Sequence, residues 1–300
     1  MHRLTSLLIV GCACACARTT PPRTVSYDAG APRGTLQIVG GGPQPEALVR
    51  HFVELAGGAG HANIAVFAQA SEDGAEGGEE KAADFRALGA SARNIWITRQ
   101  QANTDSIVHL LDGVTGVWFG GGDQVRLTRE LRGTRVDSAI HARFAAGAVV
   151  GGTSAGAAVM SAVMITGDER RPGGARPDTS TAFITLEADN IVTDTGFAFL
   201  TNAIVDQHFV RRRRHNRLIS LVIEREPHLG VGIDESTALV VSPDGVWTVE
   251  GAGDVVIYDA RRALRTAASN TLLRASGIVM HVLPAGATFD PRTGAATLPR

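Results

Sequence analysis

Short apolar runs separated by segments of helical spacing, two of them stopped by a glycine triplet, constrain this 300-residue chain more than any other feature. Leu36–Val39 stops at Gly40-Gly41-Gly42, and Pro45–Ala56 then carries apolar residues at helical intervals. Asn63–Ala68 reads as a buried strand, Glu79–Leu88 as a helix and Asn94–Thr98 as a third strand. Asp105–Leu111 reads as a short helix with Thr104 as its cap. Gly116–Phe119 is a fourth strand, ending in Gly120-Gly121-Gly122-Asp123-Gln124. Ser138–Ala146 is helical and Ala148–Gly151 is a fifth strand. Continuous apolar strands separated by helices are buried on both faces. The expected fold is therefore α/β: three layers, with a mostly parallel sheet and helices on both sides.

Beyond residue 166 the pattern loosens. Residues 167–181 are polar and rich in Pro and Gly, which predicts an exposed loop. Ile204–Val205 opens a strand, Arg214–Ile223 a helix and Val231–Ile233 a further strand. Ala238–Val241, Val246–Val249 and Val255–Tyr258 have hairpin spacing, with Pro243-Asp244-Gly245 as a turn, so extra hairpins are expected near the C-terminus. Ile278–Leu283 reads as a strand with no evident partner. There is no internal repeat, and residues 34–300 read as one domain. Phe144–Gly167 carries no charge and is long enough to cross a bilayer. Its Ala, Gly and Val content, with Gly151-Gly152-Thr153-Ser154 in the middle, instead predicts a buried strand, a sharp turn and a buried helix.

All three cysteines, Cys12, Cys14 and Cys16, lie near the start, so the body has no disulfide, thiolate metal site or cysteine nucleophile. Arg3, an apolar run from Leu4 to Val10 and small residues after it give residues 1–17 the layout of a secretory signal. Ile9-Val10-Gly11-Cys12 also resembles a bacterial lipobox, which would place a lipid anchor at Cys12. Residues 18–33 read as a flexible linker. The expectation is an exported protein: periplasmic, an outer-membrane lipoprotein or secreted. A net charge of −1 argues against a protein that coats nucleic acid. Lys81 is the sole lysine, so lysine chemistry has one candidate.

Gly152-Thr153-Ser154-Ala155-Gly156 fits G-x-S-x-G between a predicted strand and a predicted helix. A nucleophile on so tight a turn needs tiny neighbours, and its hydroxyl then projects above the sheet edge. Small residues also occur wherever a helix packs closely on a sheet, so the motif needs company. His208, in Asp206-Gln207-His208-Phe209, follows a predicted strand and falls where open α/β sheets bind ligands. It is the candidate base for Ser154. An acid must orient the imidazole. Gly232-Ile233-Asp234-Glu235 offers two carboxylates at another strand end, while Asp189 or Asp194 would give the Ser-acid-His order of α/β-hydrolases. No H-E-x-x-H or cysteine-rich set is present, so no metal or other cofactor is expected.

Four motifs in order, GGGDQ at 120–124, GGTSAGA at 151–157, DQHF with following arginines at 206–217 and GIDE at 232–235, resemble the cyanophycinase-type serine peptidases. These are related to peptidase E and share the flavodoxin-like, class I glutamine amidotransferase-like fold. The resemblance spans roughly residues 34–260 and implies Ser154 as nucleophile, His208 as base and Glu235 as acid. It implies substrate contacts from Gln124, Asp206, Gln207, Arg212, Arg214 and Arg217. The mechanism then requires oxyanion donors, for which the backbone N–H groups of Ala155, Gly122 and Asp123 are the candidates.

Four adjacent arginines, Arg211–Arg214, ordinarily mark a solvated face or a nucleic-acid patch. Guanidinium forks also match carboxylates, and cyanophycin is a poly-aspartate with arginine on each β-carboxyl. The expected partner is a peptide or cyanophycin-like substrate and not nucleic acid, and the resemblance implies a homodimer. The expected activity is release of β-Asp-Arg dipeptides through an acyl-enzyme. The alternatives are an aspartyl or isoaspartyl dipeptidase of the same fold, an esterase, or a non-catalytic binding lipoprotein.

Overall fold

The computed structural model describes residues 34–170, 184–266 and 272–300. The expected signal, linker and Cys12 anchor, and residues 171–181 of the expected loop, lie outside the described residues. In chain order the first half runs β1 (Leu36–Val39), α1 (Glu46–Leu55), β2 (Asn63–Phe67), α2 (Gly74–Ala87), β3 (Ser91–Asn94), α3 (Asp105–Val108), β4 (Gly116–Phe119), α4 (Gln124–Leu131), α5 (Arg135–Ala145), β5 (Val149–Thr153) and α6 (Ala155–Ala158). The second half runs β6 (Val163–Glu169), β7 (Ile191–Thr195), β8 (Ile204–Gln207), α7 (His215–Glu224), β9 (Leu229–Ile233), β10 (Thr237–Val241), β11 (Trp247–Gly251), β12 (Val255–Asp259), β13 (Leu264–Thr266), β14 (Arg274–Ser276), β15 (Val279–Leu283), β16 (Thr288–Asp290) and β17 (Ala295–Thr297).

The central sheet has the order β17-β16-β11-β10-β1-β5-β4-β2-β3. From β1 to β3 every pairing is parallel, and from β1 through β10 to β17 every pairing is antiparallel. Leu48, Phe52 and Val53 of α1 and Phe85 of α2 cover one face, with Val39, Ile64, Val66 and Trp118 beneath them. Leu127 and Leu131 of α4 and Ile140 and Phe144 of α5 cover the other, against Ile38, Val117, Phe119 and Val150. The α/β layering expected from the apolar runs is what the chain forms.

A second sheet, β15-β12-β9-β8, pairs β8 and β9 in parallel and the rest antiparallel. In β9 (Leu-Gly-Val-Gly-Ile), Leu229, Val231 and Ile233 join the main core. The glycines between them face the other way. A Cβ on Gly232 would lie 2.3 Å from the Phe209 ring, and one on Gly230 would strike Val222 of α7. The period-two alternation thus lets α7 sit directly on the sheet.

Several expected boundaries move for identifiable reasons. The third strand is Ser91–Asn94, not Asn94–Thr98, because its neighbour β2 ends at Phe67. The Ile95 carbonyl beyond it accepts from the Gln69 side chain at 2.7 Å. Helix α2 starts at Gly74, five residues before Glu79, despite three glycines. Thr104 makes no cap bond; its hydroxyl donates to the Gln101 carbonyl. Strand β12 does not continue the β10–β11 hairpin. It crosses to the second sheet between β9 and β15, which also supplies the missing partner of the Ile278–Leu283 run. Residues 167–169, expected in a loop, belong to β6. The uncharged stretch Phe144–Gly167 comprises the end of α5, β5, α6 and the start of β6. Among the described residues no helix is long and apolar enough to cross a membrane.

Candidate active site

The strand ends of β1, β5, β8 and β9 converge at one edge. Val39 closes β1, and its carbonyl accepts from the Ser154 N–H at 3.1 Å. The next carbonyl, Gly40, accepts from the His208 N–H at 2.6 Å, and that of Gly41 from the Ser236 N–H at 2.8 Å. One glycine turn therefore holds the backbones on either side of the site in register. This turn is the functional element that sequence reasoning missed, since the triplet was legible only as a strand stop. Its emptiness is specific. A Cβ on Gly41, where φ is +108°, would sit 2.3 Å from Cε1 and Nε2 of His208, and one on Gly42 would sit 2.8 Å from Cβ of Glu235.

Ser154 has φ +55°, His208 +47° and Ser236 +55°, a region L-residues avoid and that is tolerated where surrounding structure over-determines it. At the Ser154 turn the surrounding glycines make this possible. A Cβ on Gly156 would meet the Phe119 carbonyl at 2.2 Å, and one on Gly152 would meet the Gly156 carbonyl at 2.7 Å. The turn lifts the hydroxyl toward the imidazole. Ser154 Oγ lies 2.9 Å from Nε2 of His208, and Nδ1 of His208 lies 2.6 Å from Oε1 of Glu235. The imidazole is buried, 6% exposed, while Glu235 is partly open to solvent. Burial holds the His208 pKa below its ordinary value; Arg212 and Arg214 push the same way, and Glu235 opposes them. The hydrogen bond from His208 lowers the Glu235 carboxyl below its usual range. A neutral imidazole between a hydroxyl and a carboxylate can take a proton from the hydroxyl and retain its orientation.

Asp189 and Asp194 take no part. Asp189 pairs with Arg225, Asp194 lies in β7, and Nδ1 of His208 is already occupied by Glu235. That removes the esterase arrangement.

Of the expected oxyanion donors, Ala155 opens α6 and Gly122 lies in the turn after β4. Neither N–H has a backbone partner among the described residues. The turn passes close to the serine, since a Cβ on Gly121 would lie 3.5 Å from that of Ser154. Asp123 is a correction. Its N–H donates to the Ala70 carbonyl at 2.9 Å, and its carboxylate caps α4 by accepting from Val125 and Arg126. Helix α6 spans only four residues, so any stabilisation of an oxyanion comes from local N–H donors and not from a long helix dipole.

The expected substrate contacts divide. Arg217 is 1% exposed and forks onto the Asp206 carboxylate, which is also 1% exposed and accepts from the Gln207 N–H at 2.7 Å. Neither can reach a ligand: both are corrected from binding residues to a buried support beneath His208. Gln124 is also corrected as a donor, because its amide nitrogen is committed to the Ile165 and Thr166 carbonyls of β6. Arg214 gives one nitrogen to the Gln207 carbonyl at 2.7 Å and is largely buried. Arg212 is exposed, has no side-chain partner among the described residues, and is close enough to bias both His208 and Glu235. Arg211 and Arg213 are exposed. Gln207 is buried with its Oε1 unpaired, an acceptor at the site without a donor among the described residues.

Residues 37–249 match the model of peptidase family S51. The chain belongs to that family. As an S51 member it is a serine-type peptidase with the family's flavodoxin-like fold. It is 33% identical over 266 residues to a cyanophycinase of a Nostoc species, covering 85% of each chain. It is 31% identical over 271 residues to a cyanophycinase of Thermosynechococcus vestitus, covering 87% of this chain and 80% of that one. A solved peptidase from an acI-B1 actinobacterium superposes with a TM-score of 0.59 at 22% identity, over 82% of this chain and 98% of that one, which speaks to the fold.

Proposed function

We propose that this serine peptidase is a cyanophycinase-like enzyme that releases β-Asp-Arg dipeptides from cyanophycin. The observation that carries the reading is the unbroken line from Ser154 Oγ through the His208 ring to Glu235, with the free Arg212 guanidinium beside it. The relatedness to cyanophycinases at 31–33% identity supports the substrate class.

In this reading His208 takes the Ser154 proton as Oγ attacks the scissile carbonyl. The Ala155 and Gly122 N–H groups meet the oxyanion. The intermediate collapses to an acyl-enzyme, and the amine leaves with the proton held on His208. Water, deprotonated by His208, then releases the acid and restores the serine. Glu235 keeps one tautomer in place and stabilises the imidazolium. Arg212, with the free face of Arg214, attracts the substrate's carboxylates.

What supports export is the signal-like opening of residues 1–17 alone, and what supports lipidation is Cys12 in its lipobox-like setting. A homodimer rests on family resemblance. Incubating the purified chain with insoluble cyanophycin and, separately, with Asp-X and isoaspartyl dipeptides tests the reading. Soluble β-Asp-Arg is the expected product. Turnover of the dipeptides alone would assign the dipeptidase activity instead, and no turnover with either would sink both substrate readings.

A further inference from the structure

A pocket of about 330 Å³ opens beside Ser154 on the face covered by α1 and α2. Gln44, Gly77, Glu80, Lys81, Gly121 and Thr153 line it. Thr153 precedes the nucleophile, and Gly121 is the glycine whose Cβ would fall 3.5 Å from that of Ser154. Three glycines stand in the first half of α2, where glycine weakens a helix. Two have a packing reason: a Cβ on Gly74 would strike the Trp96 ring at 2.1 Å, and one on Gly78 would strike the Asn94 side chain at 2.3 Å. A Cβ on Gly77 would meet nothing within 4 Å, and its φ is not in the left-handed region. Neither packing nor backbone geometry calls for glycine at 77. What its missing side chain does is leave the pocket open.

The polar groups define what would fill it. Lys81 is already neutralised. Its Nζ lies 3.3 Å from Asp84 Oδ2 and 5.2–5.3 Å from the ring centres of Phe85 and Trp118, and burial lowers its pKa. The groups left over present two acceptors to the pocket, one of them the oxygen of an amide that also carries donors. Gln44 Oε1 is buried with no hydrogen-bond partner, and the Glu80 carboxylate has no ion-pair partner among the described residues. A buried unpaired acceptor beside a free carboxylate is stabilised by a cationic group with several N–H donors.

We propose that this pocket binds a guanidinium group, carried by the substrate residue adjoining the scissile bond. The inference rests on the peptidase reading above and deepens it. Carboxylates would be met by Arg212 and the cation by Gln44 and Glu80, so a chain bearing both charges could enter in one orientation only.

The test needs no turnover. Because Lys81 is the only lysine in the sequence, its acylation by an amine-reactive ester can be followed by peptide mass spectrometry in the Ser154→Ala full chain. N-acetyl-arginine amide is expected to slow labelling by about tenfold or more. The citrulline analogue, equal in shape but uncharged, should give little protection. Gly77→Leu, compatible with a helix, should abolish protection, and Glu80→Gln should erase the arginine–citrulline difference. Equal protection by citrulline, full protection in Gly77→Leu, or protection by N-acetyl-aspartate amide instead would overturn the proposal. Should Lys81 resist labelling, the same ranking is read from KM for arginine and citrulline peptides with Gly77→Leu. There an unchanged ratio in the variant overturns it. Arginine protection without cyanophycin hydrolysis would sink the substrate assignment and leave the pocket standing. Hydrolysis without protection would do the reverse.

Discussion

At the level of single side chains, three groups that meet through two hydrogen bonds answer to different substitutions. Ser154→Ala removes one oxygen from a half-buried turn and should leave the thermal melt unchanged, while kcat falls by roughly 10⁴- to 10⁶-fold. Glu235→Gln keeps the shape and loses the charge opposite Nδ1, so a fall in kcat of roughly 10²- to 10⁴-fold is expected, the smaller end reflecting its partial exposure. The pH profile carries its own sign. His208 must be neutral to accept a proton, and its pKa lies below the ordinary imidazole value through burial and the two arginines. The acid limb of kcat/KM should therefore fall below pH 6.5. Arg212→Gln removes a positive neighbour, favours the imidazolium and should move that limb to higher pH, with KM rising more than kcat falls. An unshifted limb would mean that Arg212 does not face the imidazole in solution.

At the level of elements, the glycine turn after β1 and the start of α7 act as fixtures. Gly41→Ala adds a methyl 2.3 Å from the His208 ring at φ +108°. The backbone cost is about 1 kcal/mol, but the displaced imidazole should reduce kcat by about 10²-fold, giving a folded and nearly inactive protein by circular dichroism and assay. Arg217 behaves oppositely to Arg212. Both Arg217 and Asp206 are 1% exposed, so Arg217→Met strips a buried carboxylate of its forked partner, leaving it the Gln207 N–H and a longer 3.9 Å contact with Arg214, and should cost about 3 kcal/mol by urea unfolding. The double variant Arg217→Met with Asp206→Leu should recover much of that stability. A loss confined to KM in Arg217→Met, with an unaltered urea midpoint, would return Arg217 to the ligand-binding group.

Across the whole molecule, the antiparallel half carries the C-terminal strands outside the family-matched span of 37–249. Strand β15 completes the second sheet, β16 and β17 extend the first, and Leu283 and Phe289 are buried at 2% and 1%. Truncation after Arg261 would remove both side chains and uncover Trp247, which contacts Phe289. At about 1.5–3 kcal/mol for each buried side chain, that is a large share of a typical margin of about 5–15 kcal/mol. The truncated chain should be unfolded or insoluble at 25 °C, and a melt within a few degrees of the full chain would show the segment to be dispensable.

The sequence by itself determined the strand–turn–helix at Ser154, the layered parallel sheet and the candidacy of His208 and Glu235. Each is written in short-range chemistry: small residues at a tight turn, apolar runs of strand length, and polar residues just past strand ends. Only the tertiary structure decided that Glu235 and not Asp189 or Asp194 holds the imidazole, that Arg217 is buried while Arg212 is free, and that the Asp123 N–H is already spent on Ala70. Adjacent arginines look alike in sequence. Which one meets solvent depends on the distant carboxylate packed against it, and that pairing exists only once the strand bearing Asp206 and the helix bearing Arg217 have docked.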